Sequence, residues 1–233
     1  MLSPRLKAVA DLVLASRCVA DIGSDHALLP VYLVEKGIAQ RAIAVEKAEG
    51  PLAAARRAVA AAGLKERIEV RAGEGLTPLA AGEAEVIVIA GMGGETIAAI
   101  LAAGAAIART ARLVVTQPMN RAAFLRRWLG QNGWLICAEG LAKERRYLYQ
   151  VIAVVPGAGY ELSWLEAELG PCLLASGHPL LRELAVRTLR YYEQKVVGLS
   201  RASARVRPGA GDLGELTRRC EALRAYLERL SAL

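Results

Sequence analysis

Hydrophobic and polar positions along this chain switch repeatedly between a helical period and a strand period, which predicts a regular succession of helices and strands. Ser3 or Pro4 opens a short amphipathic helix with Leu6, Val9, Leu12 and Val13 on one face. Cys18 to Ile22 reads as a strand, followed by a polar turn and a helix, and Arg41 to Val45 is a second apolar run that ends at Glu46. An Ala-rich helix starts at Pro51 and closes at Gly63, the usual placing of Pro first and Gly last. Arg67 to Arg71 alternates with period two and predicts a strand with one wet face, whereas Glu85 to Ala90 is continuous and β-branched, the pattern of a strand buried on both faces. After Gly91-Met92-Gly93-Gly94 comes a helix, then Leu113 to Thr116 as a fifth strand. Asn120 is read as the N-cap of a helix carrying Phe124, Leu125, Trp128 and Leu129, which ends at Asn132-Gly133. Trp134 to Ala138 and Tyr147 to Val155 are expected to pair as the last two strands.

Strands alternating with helices imply an α/β domain with a mostly parallel sheet covered on both faces. Seven strands, the last two with no clear helix between them, suit the methyltransferase variant of the Rossmann-like fold, whose final strand inserts antiparallel. The break at Pro156-Gly157-Ala158-Gly159 divides the chain into residues 1–156 and a helical segment, 157–233. In that segment Leu189, Tyr192, Val196 and Leu199, and then Leu213, Leu216, Cys220, Leu223, Leu227 and Leu230, keep a 3-4 spacing on either side of a turn at Arg207 to Gly211. Two such seams predict an antiparallel coiled-coil hairpin, serving either for packing and weak dimerisation of an otherwise monomeric chain or as an arm that holds a large substrate.

Composition narrows the class. No apolar run of membrane-spanning length lacks charge, and the N-terminus shows no signal-peptide pattern, so a cytoplasmic protein with no membrane partner is expected. The four cysteines, Cys18, Cys137, Cys172 and Cys220, are scattered, and with two histidines they predict buried thiols and no metal site. The net charge is +7, with 19 basic against 14 acidic residues up to Val155 and 11 against 9 beyond, so the excess sits mainly on the α/β part, as a nucleic-acid partner would require.

The candidate chemistry lies where strands end. In an open α/β sheet ligands sit at the carboxyl ends of the strands, where the strand order reverses. The first such end is Asp21-Ile22-Gly23-Ser24-Asp25-His26. Gly23 permits a tight turn, but the carboxylate of Asp25 would repel a dinucleotide pyrophosphate and can instead accept from an ammonium, which favours S-adenosylmethionine over NAD. Glu46, 23 residues after Gly23, can accept adenosine ribose hydroxyls. Glu74, in Gly73-Glu74-Gly75, can accept from the adenine amine, and Ala90-Gly91-Met92-Gly93 leaves little side chain where cofactor and substrate meet. Arg5 and Lys47 join the cofactor set, and with the Arg126-Arg127 pair they are also candidates for phosphate contact.

These segments resemble the bacterial tRNA (adenine-22-N1)-methyltransferase family. The similarity runs from Leu2-Ser3-Pro4-Arg5-Leu6 through Asp21 to Ala27, Glu46, Glu49-Gly50-Pro51, Gly73 to Leu76, Ile89 to Gly94, Gln117-Pro118, Leu125 to Trp128 and Asn132 to Trp134, and into Glu168 to Pro171 and His178-Pro179-Leu180. The resemblance implies methyl transfer from S-adenosylmethionine to N1 of an adenine in the D-loop region of tRNA, on a Rossmann-like domain followed by a coiled coil. Members usually carry Asp or Asn where this chain has Glu74, and read Gln-Pro-Asn where Met119 here precedes Asn120. Asp25, His26 and Asn120 are the expected catalytic residues, with His26, Gln117, Pro118, Arg126 and Arg127 on the substrate. Gln117 and Asn120 carry side-chain amides suited to the donor and acceptor of an adenine edge. A methyltransferase for another RNA, a protein or a small molecule, and a non-catalytic RNA-binding scaffold, remain alternative readings at this point.

Overall fold

The computed structural model describes residues 2–203 and 210–231. The chain divides into two compact units, Met1–Leu162 and Ser163–Leu233. The first opens with helix α1 (Pro4–Asp11), where Ser3 Oγ accepts from Leu6 N–H and Pro4 occupies the first turn. Then follow β1 (Ser16–Ile22), α2 (Leu28–Glu35), β2 (Ala39–Glu46), α3 (Glu49–Ala61), β3 (Ile68–Ala72), β4 (Val86–Met92), α4 (Gly94–Ala103), α5 (Ala105–Ala108), β5 (Leu113–Pro118), α6 (Ala122–Gln131), β6 (Trp134–Glu144) and β7 (Tyr147–Pro156).

The seven strands form one sheet in the order β3-β2-β1-β4-β5-β7-β6. β1 pairs in parallel with β2 and β4, β2 with β3, and β4 with β5, whereas β7 runs antiparallel between β5 and β6. This is the Rossmann-like methyltransferase arrangement with the inserted antiparallel strand. The central strands carry the core: Val19, Ala20, Val88, Ile89, Val114 and Val115 are fully buried. Such strands read as continuous apolar runs because helices cover both faces. Strand order reverses between β1 and β4, so the turns after these strands meet at one edge of the sheet.

Three local features differ from the sequence expectations. α3 begins at Glu49, two residues before Pro51, because the carboxylate of Glu46 takes up the Lys47 and Ala48 N–H groups that would otherwise lack partners at the helix start. Asn120 is not the N-cap of α6. That position is Arg121, held at φ 54°, and the Asn120 carbonyl instead accepts from Gly94 N–H. β6 runs on to Glu144, six residues beyond the expected end at Ala138, and meets β7 in a tight hairpin with Arg145 at φ 54°. Residues 157–162 belong to the first unit, where Gly157 N–H donates to the Gly133 carbonyl and Tyr160 N–H to that of Gly130.

The second unit comprises α7 (Trp164–Leu169), α8 (Pro171–Ser176), α9 (Leu181–Ser203) and α10 (Ala210–Ser231). α7 starts with a capping box between Ser163 and Glu166. α9 and α10 pack together, with Leu199 beside Leu216 and Arg224 paired to Glu193 at 2.7 Å, which fixes them as an antiparallel hairpin. Tyr192, Cys220 and Leu223 fill the seam. Of the turn expected at Arg207 to Gly211, positions up to 209 lie outside the described residues, and Ala210 and Gly211 already belong to α10. The Tyr192 hydroxyl donates to Glu168 Oε1 at 2.9 Å, and burial beside that carboxylate pushes its pKa up to about 12. Among the described residues no helix is long and apolar enough to cross a membrane.

Candidate active site

The turn after β1 is built around a buried carboxyl group. Asp21 is 5% exposed, and its Oδ2 accepts from Ser24 Oγ at 2.6 Å. Burial pushes its pKa up to about 6; the Ser24 hydroxyl and the Arg5 charge oppose that rise, and Glu46 adds to it. Gly23 has φ +72°, and a Cβ there would stand 2.3 Å from Met92 Cε. The turn is pinned to β2 because Gly23 and Ser24 N–H both donate to the Val45 carbonyl. Two non-glycine residues, Asp25 (φ 51°) and Ala27 (φ 52°), sit in the left-handed region within this one turn. Each costs free energy, and such concentrations of strain mark functional sites. The turn borders a cavity of about 250 Å³ lined by Arg5, Leu6, Asp21, Gly23, Ser24, Asp25, His26, Leu28, Leu29, Ala90 and Gly91.

Glu46 closes the adjoining strand. Its Oε2 accepts from Asp25 N–H at 3.0 Å, and its Oε1 accepts from Lys47 N–H at 2.9 Å and Ala48 N–H at 3.3 Å. Three backbone amides therefore hold the carboxylate in one orientation. One strand further out, Lys47 Nζ pairs with Glu74 Oε1 at 2.8 Å, so these two candidates face each other. Gly75 supplies φ +57° for the Glu74 turn, and a Cβ on Gly73 would run into Pro78 Cγ at 2.1 Å.

On the other side of the reversal, Gly91 adopts φ +79° and the β4–β5 ladder shifts register between Ala90 and Met92. The loop after β5 lies across this turn: Met119 N–H donates to the Met92 carbonyl, and a Cβ on Gly93 would lie 3.2 Å from Asn120 Oδ1. Asn120 is exposed, as are the side chains of Asp25 and His26, which approach each other to 3.6 Å. The geometry is a polar cavity at a topological switch point, flanked by a fixed carboxylate and by turns too narrow for side chains.

Residues 2–152 match the family described as "Methyltransferase domain". A Bacillus subtilis (strain 168) protein named tRNA (adenine(22)-N(1))-methyltransferase is 34% identical over 232 residues, 97% of this chain and 97% of its own length. The chain belongs to the tRNA (adenine(22)-N(1))-methyltransferase family. The crystal structure of the Bacillus subtilis tRNA methyltransferase TrmK is 33% identical and superposes with a TM-score of 0.85 over 97% of this chain and 99% of that one. A Streptococcus pneumoniae protein, Sp1610, solved in complex with S-adenosyl-L-methionine, is 34% identical with a TM-score of 0.81 over 97% and 100%.

Within this family member several candidate residues take places that the sequence did not suggest. Arg126 does not reach the surface. It is fully buried, with Nε donating to Glu139 Oε1 at 2.6 Å and Nη2 to Gln150 Oε1 at 2.8 Å, so it ties α6 to the β6–β7 hairpin and is no phosphate contact. Arg127 is half-buried and donates to the Ala123 carbonyl of its own helix. Pro118 is buried in β5 opposite Met92. Gln117 is also fully buried, and its amide is engaged by protein groups, which removes it as a reader of an adenine edge. Arg5, expected in the cofactor set, lines the cavity, its backbone N–H donating to Glu144 and its guanidinium lying over the Tyr149 ring at 5.8 Å. Sequence reasoning missed Leu6, Leu28 and Leu29 on the cavity wall and Glu144 and Tyr149 behind Arg5. The leucines read as ordinary helix residues; only the 54% exposure of Leu28 distinguishes one of them.

Proposed function

We propose that this protein transfers the methyl group of S-adenosylmethionine to N1 of adenine 22 in bacterial tRNA. The observation that carries the reading is the cavity at the β1–β4 reversal, with the amide-held Glu46 beside it, in a chain matched to its tRNA-methylating relative over nearly its whole length.

The residues fit the cofactor. Glu46 offers four lone-pair positions, of which three accept backbone amides; one ribose hydroxyl can take the fourth, and a second displaces the weakest contact, that of Ala48 at 3.3 Å. Asp21 and Asp25 provide acceptors for an ammonium, and Gly23 and Gly91 keep the cavity clear of side chains. When bound, S-adenosylmethionine supplies a methyl group made electrophilic by its sulfonium. N1 of adenine already carries a lone pair, so the protein needs no strong base to start the reaction. It must hold the two reactants in line and exclude water. The adenine ring gains positive charge as the new bond forms, and the carboxylates of Asp21 and Asp25 stabilise that charge from the cavity wall. Because N1 is hidden by stacking or pairing, the base must be extruded to reach this site. His26, on the cavity wall, and Asn120, exposed on the loop after β5, are the groups we assign to meet it. This activity places the protein in the cytoplasm with its tRNA.

The test is incubation of the purified protein with methyl-labelled S-adenosylmethionine and unmodified bacterial tRNA transcripts, followed by mapping of the modified nucleoside. The expected product is 1-methyladenosine at position 22, lost when that adenine is replaced by guanine. Absence of label on every tRNA overturns the reading.

A further inference from the structure

We propose that Gln117 is a positioning residue that holds the Arg5 guanidinium where it pairs with the carboxylate at the amino-acid end of the methyl donor. The proposal rests on the cofactor reading above and adds a specific partner for one end of the ligand. Gln117 stands next to last in β5 with no exposure, so its amide has to be satisfied inside the protein. Its Oε1 accepts from Arg5 Nη1 at 2.7 Å and from Gly91 N–H at 3.2 Å, while its Nε2 donates to the Pro118 carbonyl at 3.0 Å and lies 3.7 Å from Met119 Sδ. One side chain therefore ties a residue of α1 to the end of β4, and both of the groups it ties line the cavity.

Arg5 is the one arginine or lysine among the described residues lining that cavity, and it shares the wall with the carboxyl groups of Asp21 and Asp25. A small cavity offering one cation and two acids suits a zwitterion: an α-ammonium toward the aspartates and an α-carboxylate toward the guanidinium. An arginine chain free to rotate loses entropy when it grips a carboxylate. Here Gln117 on one side and the Tyr149 ring on the other have already fixed it.

The test compares two ligands by isothermal titration: S-adenosylhomocysteine, which carries the amino-acid end, and 5′-methylthioadenosine, which lacks it. Arg5→Met is expected to weaken S-adenosylhomocysteine by about 10- to 100-fold, the range for a charge-assisted pair, and to leave 5′-methylthioadenosine within about 2-fold. Gln117→Leu is expected to weaken only S-adenosylhomocysteine, by about 5- to 10-fold, with the double variant no weaker than Arg5→Met alone. Gln117→Glu, which keeps an acceptor for Arg5, is expected to retain the ligand preference. The 5′-methylthioadenosine affinity reports whether each variant is folded; should Gln117→Leu fail that check, Gln117→Asn, one methylene too short to reach Arg5, replaces it. Equal loss for both ligands in a folded variant, or effects of Arg5→Met and Gln117→Leu that add in full, overturns the proposal. Wild-type protein that binds neither ligand overturns the cofactor reading itself, and the proposal with it.

Discussion

The Glu46 carboxylate accepts the backbone N–H of Asp25 at 3.0 Å, so the last residue of β2 fixes the left-handed turn that follows β1. Replacing Glu46 by Ala removes a ribose acceptor and releases that turn together. We expect S-adenosylhomocysteine to bind about 100-fold more weakly to Glu46→Ala, near the upper end for hydrogen bonds to a charged group. Glu46→Gln keeps one acceptor and should fall between. Titration calorimetry measures both, with circular dichroism to show that the sheet is intact.

Asp21 gives the ligand-free protein a pH dependence of definite sign. Its pKa is raised from 3.8 to about 6, so between about pH 4 and pH 6 the folded state holds a proton that the unfolded chain has released. Stability therefore falls as pH rises through that window, by about 3 kcal/mol for a shift of this size. In Asp21→Asn the fall should vanish, which urea denaturation at a series of pH values reads directly. An ammonium bound beside Asp21 favours its ionised form, so ligand binding below about pH 6 should release protons in the wild type and not in the variant. Calorimetry in buffers of different ionisation enthalpy detects that release.

Arg126 separates a structural role from a nucleic-acid one. Arg126→Met leaves the buried Glu139 without its ion-pair partner, and a loss of about 3–5 kcal/mol in unfolding free energy is expected. The double replacement Arg126→Met with Glu139→Leu should regain much of it. The salt dependence of tRNA binding should be unchanged in the folded variant, since no phosphate contact is removed. A flatter salt slope would return Arg126 to the interface.

Two glycines, Gly23 in the turn after β1 and Gly94 at the start of α4, should respond differently to the same added methyl group. A Cβ at Gly23 meets the flexible end of Met92, so Gly23→Ala should fold at a cost of about 1–2 kcal/mol from its left-handed backbone. At Gly94 the methyl would stand 2.6 Å from the Arg121 carbonyl oxygen, which is backbone and cannot step aside. Gly94→Ala should therefore be the more destabilising, although alanine favours helices elsewhere. Thermal melts of the two variants compare them.

Most of the sheet was legible because its central strands are apolar on both faces and end in glycine or a polar turn. The pattern of Glu85 to Ala90 needs no tertiary knowledge, and Val86–Met92 is indeed a strand. The far end of β6 was not legible because Glu139, Lys143 and Glu144 interrupt the apolar pattern. Glu139 sits inside, where Arg126, on another element, pairs with it. The same cause hid Arg126 in a helix where an Arg-Arg pair ordinarily reads as solvated. Gln117 failed as a base reader for a related reason. A strand-end amide looks alike whether it faces a ligand or a guanidinium, and the guanidinium comes from a residue more than a hundred positions earlier. Asn120 satisfied the local rule for a cap, but its carbonyl was claimed by Gly94, a long-range partner that no local rule contains.

The insertion of β7 between β5 and β6 has a consequence for the order in which the protein is made. As the chain emerges during synthesis, β6 has no neighbour in the sheet until β7 follows it, because β7 is its sole partner there. Arg5 emerges well before the Tyr149 ring that its guanidinium lies over and the Glu144 carboxylate that accepts its backbone N–H, both of which belong to the last hairpin of the sheet. A nascent chain ending near residue 130 would thus present the turns of the cavity with Gln117 already at hand for the Arg5 guanidinium but without the Tyr149 ring on its other side. Competence to hold the methyl donor should be complete only once the final hairpin has closed.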